Sequence, residues 1–222
     1  MKLTYTIQVC NESRELFSLL NFLSETIDHE DEINVVVDSE HTTEKVERVL
    51  EHFKERVQVF KTPFDNFHMN SQFQTEKATG DYIFGIDADE MPQELLIKNV
   101  KRIINESKAE IIFIPRINIH PGITQDFIDF YNIKMNKMGW VNWPDMQGRI
   151  YKNAPHIKWT EEVHTKLYGS DKVIGLEPEP TLALWHIKSM EKQMSRWKHN
   201  GKEGNDTIFS SPNGENLYDI LM

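Results

Sequence analysis

The sequence predicts an α/β fold, a mostly parallel sheet with helices on both faces followed by a loop-rich second half. Three observations predict it. Short apolar runs alternate with helical patterns through the first ninety residues, the order that gives parallel strands joined by covering helices. One of those runs, Tyr82-Ile83-Phe84-Gly85-Ile86, closes in Asp87-Ala88-Asp89-Glu90, which sets carboxylates where open α/β sheets bind ligands. The 222 residues fit one such domain and can bury a full hydrophobic core.

The first strand is expected at residues 3–9, followed by a helix with Leu16, Leu19, Leu20 and Leu23 on one face and Asn11 or Ser13 as its cap. A second strand, residues 33–37, ends at Asp38, and the next helix sets Val46, Val49, Leu50 and Phe53 at i, i+3, i+4 and i+7. Residues 57–60 read as the third strand. A helix from about 66 to 78 then leads through Thr79-Gly80-Asp81 into the strand that ends at the acidic cluster. Beyond Pro92, a helix carrying Leu95, Leu96, Val100, Ile103 and Ile104 returns to a strand at 111–114. From Ile117 to Leu184 the pattern loosens, with strand-like pieces at 149–151 and 157–159 among most of the prolines and three of the five tryptophans; such stretches carry binding residues on a rigid scaffold. The last helix, 189–199, places Met190, Met194 and Trp197 at helical spacing among Lys192, Arg196 and Lys198 and ends before Gly201 and Gly204.

Charge narrows the partners. Twenty-five basic against 35 acidic residues give a net charge of -10, which disfavours nucleic acid, whose binding relies on clustered Lys and Arg. Cys10 is the single cysteine, which excludes an internal disulfide and a cysteine-rich zinc site. Residues 1–7 lack a signal-peptide apolar core, and no segment approaches the ~18 apolar residues of a membrane span. The expectation is a soluble cytoplasmic protein without an integral membrane segment.

Asp87 and Asp89 repel one another unless a cation lies between them, and oxygen ligation at a strand end suits Mg²⁺ or Mn²⁺. Acidic residues before a proline also begin helices, where they satisfy free amides and the helix dipole. Both readings stand on the sequence.

With Asn11-Glu12 after the first strand, Asp38 closing the second, and Ala78-Thr79-Gly80-Asp81-Tyr82-Ile83 leading into Asp87-Ala88-Asp89-Glu90, the chain resembles family 2 glycosyltransferases of the GT-A fold. It looks most similar to bacterial lipopolysaccharide-core glucosyltransferase-like proteins. The likeness runs from about Leu3 to Trp197, its later part carried by Arg149-Ile150-Tyr151, Trp159 with Val163-His164, and Leu184-Trp185-His186. It implies a GT-A-like, mostly parallel Rossmann-type sheet in a single domain. Residues 1–90 would be the nucleotide-binding half, 91–188 a loop-rich acceptor half, and 189–222 a C-terminal helix and tail.

The resemblance also implies an activity: metal-dependent transfer, with inversion, from a nucleoside diphosphate sugar, a UDP-sugar, to a hydroxyl of a glycan, lipid-linked or protein acceptor. The metal would be Mn²⁺ or Mg²⁺. Asp89 matches the direct ligand, Asp87 the residue that reaches the ribose or the metal's water shell, and His186 the late-chain histidine that completes the shell. Cys10, Asn11, Glu12, Asp38 and Asn70 match nucleotide-binding positions. On local grounds Asn11 serves equally as a helix cap, Asp38 as a turn residue and His186 as a packed histidine.

Two positions depart from the family pattern. Met69-Asn70 stands where relatives carry Arg-Asn, so a basic contact to the diphosphate is missing, with Lys77, His68 or a late-chain lysine left to compensate. Val163-His164-Thr165 stands where relatives read Val-His-Glu, with Glu161 and Glu162 preceding it. A single displacement needs a base for the acceptor hydroxyl. Glu162 ranks first and Asp145 second, ahead of Glu161 and His164, against the alternative of solvated surface groups. Trp140, Trp143 and Trp159 offer flat faces to a sugar or fill the core, and Arg149 binds phosphate or makes a structural ion pair. The run Asp28-His29-Glu30-Asp31-Glu32 reads as a solvated loop. Lys192 and Arg196 would meet diphosphate or a membrane-bound acceptor, or flank a helix docked through its apolar residues.

Two other functions compete. A sugar-nucleotide nucleotidyltransferase would want a glycine-rich phosphate loop after the first strand, and Val9-Cys10-Asn11-Glu12-Ser13 contains no glycine. A nucleotide-sugar-binding protein that has lost its base would fit Met69 and Thr165.

Overall fold

The structure, a computed structural model, describes residues 1–160 and 165–199, the last five by backbone alone. Its elements begin with β1 (Leu3–Val9), α1 (Ser13–Thr26), β2 (Glu32–Asp38), α2 (Glu44–His52), β3 (Val57–Thr62), α3 (Phe67–Lys77) and β4 (Tyr82–Asp87). A short β5 (Glu90–Pro92), α4 (Glu94–Ser107), β6 (Ile111–Ile119), α5 (Gln125–Tyr131) and β7 (Val141–Lys152) follow. The rest comprises β8 (Lys158–Trp159), β9 (Leu167–Tyr168), β10 (Val173–Gly175), a 3₁₀ turn, β11 (Leu184–Ile187) and α6 (Met190–His199). The expected strands and helices of the first half are all present.

The main sheet runs β3-β2-β1-β4-β7-β6-β11-β5, with β10 beside the start of β6. The strands from β3 to β4 are parallel. β7 is the departure: it inserts between β4 and β6 and runs antiparallel to both. The sequence hid it because polar residues fill its middle, leaving Val141, Ile150 and Tyr151 as its buried apolar residues. The same strand supplies Asp145, Gln147 and Arg149.

The two faces of the sheet differ in chemistry. Leu3, Tyr5, Ile7 and Val9 of β1 point to one face and pack with Leu16, Leu19, Leu20 and Leu23 of α1, Val46 and Leu50 of α2, and Leu96 and Val100 of α4. Each fully buried leucine there contributes roughly 1.5–3 kcal/mol. Thr4 and Thr6 of β1 lie on the other face, where the Thr6 hydroxyl donates to Gln74 Oε1 of α3 at 2.9 Å. α3 buries Asn70 and Gln74 instead of an apolar stripe, so hydrogen bonds hold its sheet-facing side.

Helix starts follow the sequence where a side chain can cap. Thr43 and Asn66 accept the amides of Val46 and Met69 and begin α2 and α3. At α1 the expected Asn11 or Ser13 cap gives way to Glu12, which makes no side-chain cap. Glu12 Oε2 instead accepts the Cys10 and Asn11 amides, each at 3.0 Å. Among the described residues, no helix is long and apolar enough to cross a membrane.

Candidate active site

β4 delivers Asp87 beside Gln8 of β1, and the chain turns through Ala88 and Asp89 into β5. That strand pairs antiparallel with β11, setting Glu90 opposite His186. β11 runs parallel to β6, with His186 opposite Asn118 and Leu184 opposite Arg116. β6 in turn sets Arg116 opposite Asp145 of β7. The helix-start alternative for the acidic cluster is thereby set aside, because α4 begins at Glu94 with Gln93 before it and no side-chain cap.

A ring of charged and polar groups closes at this junction. Glu90, whose side chain is fully buried, accepts Arg116 Nη1 at 2.9 Å and Arg149 Nη2 at 2.6 Å on Oε1, and the Asp87 amide at 3.1 Å on Oε2. Arg149 Nη2 also reaches Asp87 Oδ2 at 2.7 Å. Arg116 continues to Asp145 Oδ2 through Nε at 2.9 Å and Nη2 at 2.6 Å. Asn118 Nδ2 donates to that same oxygen at 2.8 Å, and Gln147 Nε2 donates to Oδ1 at 2.6 Å. Asn118 Oδ1 faces His186 Nδ1 at 2.8 Å. His186 Nε2 stands 3.5 Å, and Lys188 Nζ 3.4 Å, from Asp89 Oδ2.

This arrangement settles several proton positions. Asn118 spends its amide N–H on Asp145, so its oxygen faces His186 and requires a proton on Nδ1. With that proton on Nδ1, Nε2 points at Asp89 Oδ2, the orientation that ligating histidines obtain from such a partner. Burial pushes the Asp89 carboxyl up, but His186 and Lys188 outweigh it and hold the group well below the usual carboxylate range. For Asp87, burial is likewise outweighed by the Arg149 charge and hydrogen bond. At Asp145, burial yields to Arg116, Asn118 and Gln147, and that carboxyl too lies low.

The expected metal set was Asp87, Asp89 and His186. The structure brings Asp89 and His186 together, while Asp87 Oδ2 is committed to Arg149. Among the described residues no group of three or more His, Cys, Asp or Glu is placed to hold a metal ion. Two donors 3.5 Å apart, a carboxylate oxygen and an imidazole nitrogen, would suit a divalent transition ion such as Mn²⁺, with water and phosphate oxygens completing its shell, better than the oxygen-preferring Mg²⁺.

The other predicted residues distribute unevenly. Cys10, Asn11, Glu12 and Asp38 share the C-terminal edge of β1 and β2. Asp38 accepts the Glu40 amide at 3.0 Å and lies 2.9 Å from His41 Nδ1, so its carboxyl stays below the usual range despite burial. The Cys10 thiol, which reaches the His41 carbonyl at 3.6 Å, is pushed up to about 11 by burial, Glu12 and Asp38. Asn70 is buried on α3, and its Nδ2 has no partner among the described residues. Met69 beside it is 51% exposed. Lys77 does not compensate for the missing arginine, since its ammonium lies over the Phe60 and Phe73 rings at 5.6 and 5.0 Å.

Of the tryptophans, Trp140 meets Trp143 edge-on at 5.1 Å and Trp185 at 6.4 Å, beside the strand that carries His186. Trp159 instead packs on Tyr151 at 5.4 Å, as part of a separate core with Ile83, Ile111 and Ile157. Glu161, Glu162 and His164 lie outside the described residues. Asp31 in the acidic run is also not simply solvated: it is buried, and Lys101 gathers Asp28, Glu30 and Asp31 within 3.0 Å. Sequence reasoning gave no role to Arg116 and Asn118, named Glu90 only as a member of the acidic cluster, and met Lys188 only as an unspecified late-chain lysine. The signal for two of them was present, since Arg116 and Asn118 are polar residues two apart on one side of an otherwise apolar strand.

The sequence model for Glycosyl transferase family 2 matches residues 6–161. The chain belongs to that family. No curated protein matches it in sequence. Among solved structures, residues 1–349 of S. aureus TarS superpose with a TM-score of 0.58 at 16% identity, covering 84% of this chain and 60% of that one. The same TarS fragment in complex with UDP-GlcNAc gives a TM-score of 0.57, again at 16% identity, with coverages of 85% and 59%. At this identity the likeness establishes the fold, an α/β sheet of the GT-A kind. The family 2 chain here spans about three-fifths of the TarS fragment it matches.

Proposed function

We propose that this family 2 protein transfers a sugar from a nucleoside diphosphate sugar, preferentially a UDP-sugar, to an acceptor hydroxyl in a single inverting displacement. The observation that carries the reading is the Asp89–His186 pair at the C-terminal edge of the sheet, with its imidazole tautomer set by Asn118. Asp89 and His186 would hold Mn²⁺ or Mg²⁺, which when bound neutralises charge on the departing diphosphate. Asp87, 42% exposed at its side chain, faces the ribose or the ion's water shell. Cys10, Asn11, Glu12, Asp38 and Asn70 line the nucleotide side, and Asn70 Nδ2 supplies a donor without a partner among the described residues.

Asp145 has a different part. Its Oδ2 accepts three hydrogen bonds from Arg116 and Asn118 and its Oδ1 one from Gln147, and this engagement holds the carboxyl low and makes it a weak base for a hydroxyl proton. Asp145 therefore positions Arg116 and Asn118, and the base falls to Glu162. The acceptor is a glycan, lipid-linked or protein hydroxyl, with Trp140 and Trp143 offering apolar faces to it.

The test is transfer and hydrolysis with UDP-, GDP- and dTDP-sugars in Mn²⁺, alongside direct donor binding. Asp89→Asn should lose metal-dependent donor binding and at least about 100-fold in turnover. A folded protein that binds none of these donors in the presence of metal would refute the assignment. The engagement of Asp145 by Arg116, Asn118 and Gln147 favours one second reading, a nucleotide-sugar-binding protein without turnover, and tight donor binding with no transfer across a broad acceptor screen would select it.

A further inference from the structure

We infer that Lys188 is the cation that grips the diphosphate of the donor, in place of the arginine that Met69 replaces. The inference rests on the donor reading above and adds the residue that reads the phosphates.

The argument is an accounting of positive charge around the strand ends. Arg149 is spent on Asp87 and Glu90, and Arg116 on Glu90 and Asp145. Both guanidiniums are locked between two carboxylates and hold the scaffold. Lys77 lies against two phenylalanine rings in the last turn of α3, next to the start of β4 and so at the opposite edge of the sheet. Lys192 of α6 is paired with Glu15 of α1 at 2.6 Å. Lys188 differs from all four. It follows β11 directly, its backbone is pinned by N–H donation to Ile119 O at 2.9 Å and by His120 Nδ1 on its carbonyl at 2.9 Å, and its side chain is 7% exposed.

Among the described residues its ammonium has one charged partner, Asp89 Oδ2, at the long distance of 3.4 Å. A lysine ammonium carries three donors, and taking it out of water is costly unless anions surround it. A single distant carboxylate oxygen leaves donors of this ammonium open to an incoming anion, since the Nζ atom is not itself fully buried although its stem is. The same oxygen faces His186 Nε2, so a cation held by Asp89 and His186 would stand beside Lys188, and two adjacent positive centres call for a polyanion. A nucleoside diphosphate supplies one. Its bridging and terminal oxygens offer several acceptors, and lysine binds phosphate as a point charge without demanding a fixed fork.

Isothermal titration of UDP, GDP and dTDP in Mg²⁺, and of the matching nucleosides, reads this directly. Lys188→Met should weaken the nucleoside diphosphate that wild type prefers by about tenfold or more and leave the nucleoside within twofold. Mn²⁺ added alone should bind the variant at least as tightly as wild type, because a neighbouring positive charge has gone. Lys188→Arg, which keeps the charge on a slightly longer side chain, should hold diphosphate affinity to within about threefold of wild type and covers the case in which the methionine variant does not fold. Equal losses for nucleoside and diphosphate, or diphosphate binding unchanged in Lys188→Met, would overturn the role while leaving the donor reading in place. Wild-type protein that binds none of the three diphosphates overturns both.

Discussion

The sheet carries a satisfied carboxylate at one end and a loosely held one at the other. At the N-terminal edge Glu32 accepts four short bonds, from Thr4 Oγ1 at 2.6 Å, Thr79 N at 2.7 Å, Lys2 Nζ at 2.7 Å and Thr79 Oγ1 at 2.6 Å. At the C-terminal edge Asp89 faces two cationic or basic nitrogens at 3.4 and 3.5 Å. Both groups are shielded from solvent, yet one has every lone pair used and the other has capacity to spare. A buried polar group with all its partners serves stability, whereas one short of partners is placed for something that arrives later. Gly80 belongs to the first kind of site, since a Cβ there would lie 2.7 Å from the Thr4 nitrogen.

This contrast can be broken by mutation, taken here from the greatest change in stability to the least. Glu90 stands between the two cases, buried and fully engaged but inside the candidate active site. Glu90→Ala would strand Arg116 and Arg149 and should cost about 3–5 kcal/mol in denaturant unfolding, with loss of donor binding. Glu32→Ala should cost about 3 kcal/mol while folded protein at low temperature binds donor as wild type does. If Glu32→Ala impaired binding without a loss in stability, the assignment of the two edges would be reversed.

Acid titration sharpens the same point. The Glu32 carboxyl sits at about 2 in the fold because, against the burial that raises it, Lys2, Thr4 and Thr79 stabilise the anion; its ordinary value is 4.5. A depressed value contributes stability that is fully present above about 4.5 and is lost as pH falls toward about 2. Urea midpoints measured across that window should fall steeply in wild type and less steeply in Glu32→Ala. Least affected is Asp89→Asn, which keeps an oxygen toward Lys188 and should shift unfolding by less than about 1 kcal/mol. Its deficit should appear in metal-dependent donor binding.

Much of this was legible in the sequence, and the exceptions have physical causes. The alternating half, β1 to β4, could be read because β2 and β4 carry short apolar runs, β1 alternates apolar and polar residues, and their helices give a 3.6-residue period. The position of Asp87 and Asp89 at a strand end followed from that pattern. The partners of these residues did not, because the ring is assembled by pairings among β5, β6, β7 and β11 that no local period records. β7 was read as fragments since its central side chains face the polar ring. Asp145 looked like a free carboxylate in one dimension, and its engagement by Arg116, Asn118 and Gln147 could not be read there. The role of Lys77 failed for a related reason: helix spacing places a residue on a face but does not say which edge of the sheet that turn approaches.

The insertion of β7 between β4 and β6 has a consequence for how the chain matures. As synthesis proceeds, β4 and β6 emerge without their shared neighbour, and each presents a raw strand edge until residue 152 has appeared. The last member of the ring, Lys188, arrives later still. Non-local pairing of this sort is slow and leaves unpaired strand edges open to association with other chains, an exposure that ends only when β7 and then β11 have taken their places in the sheet.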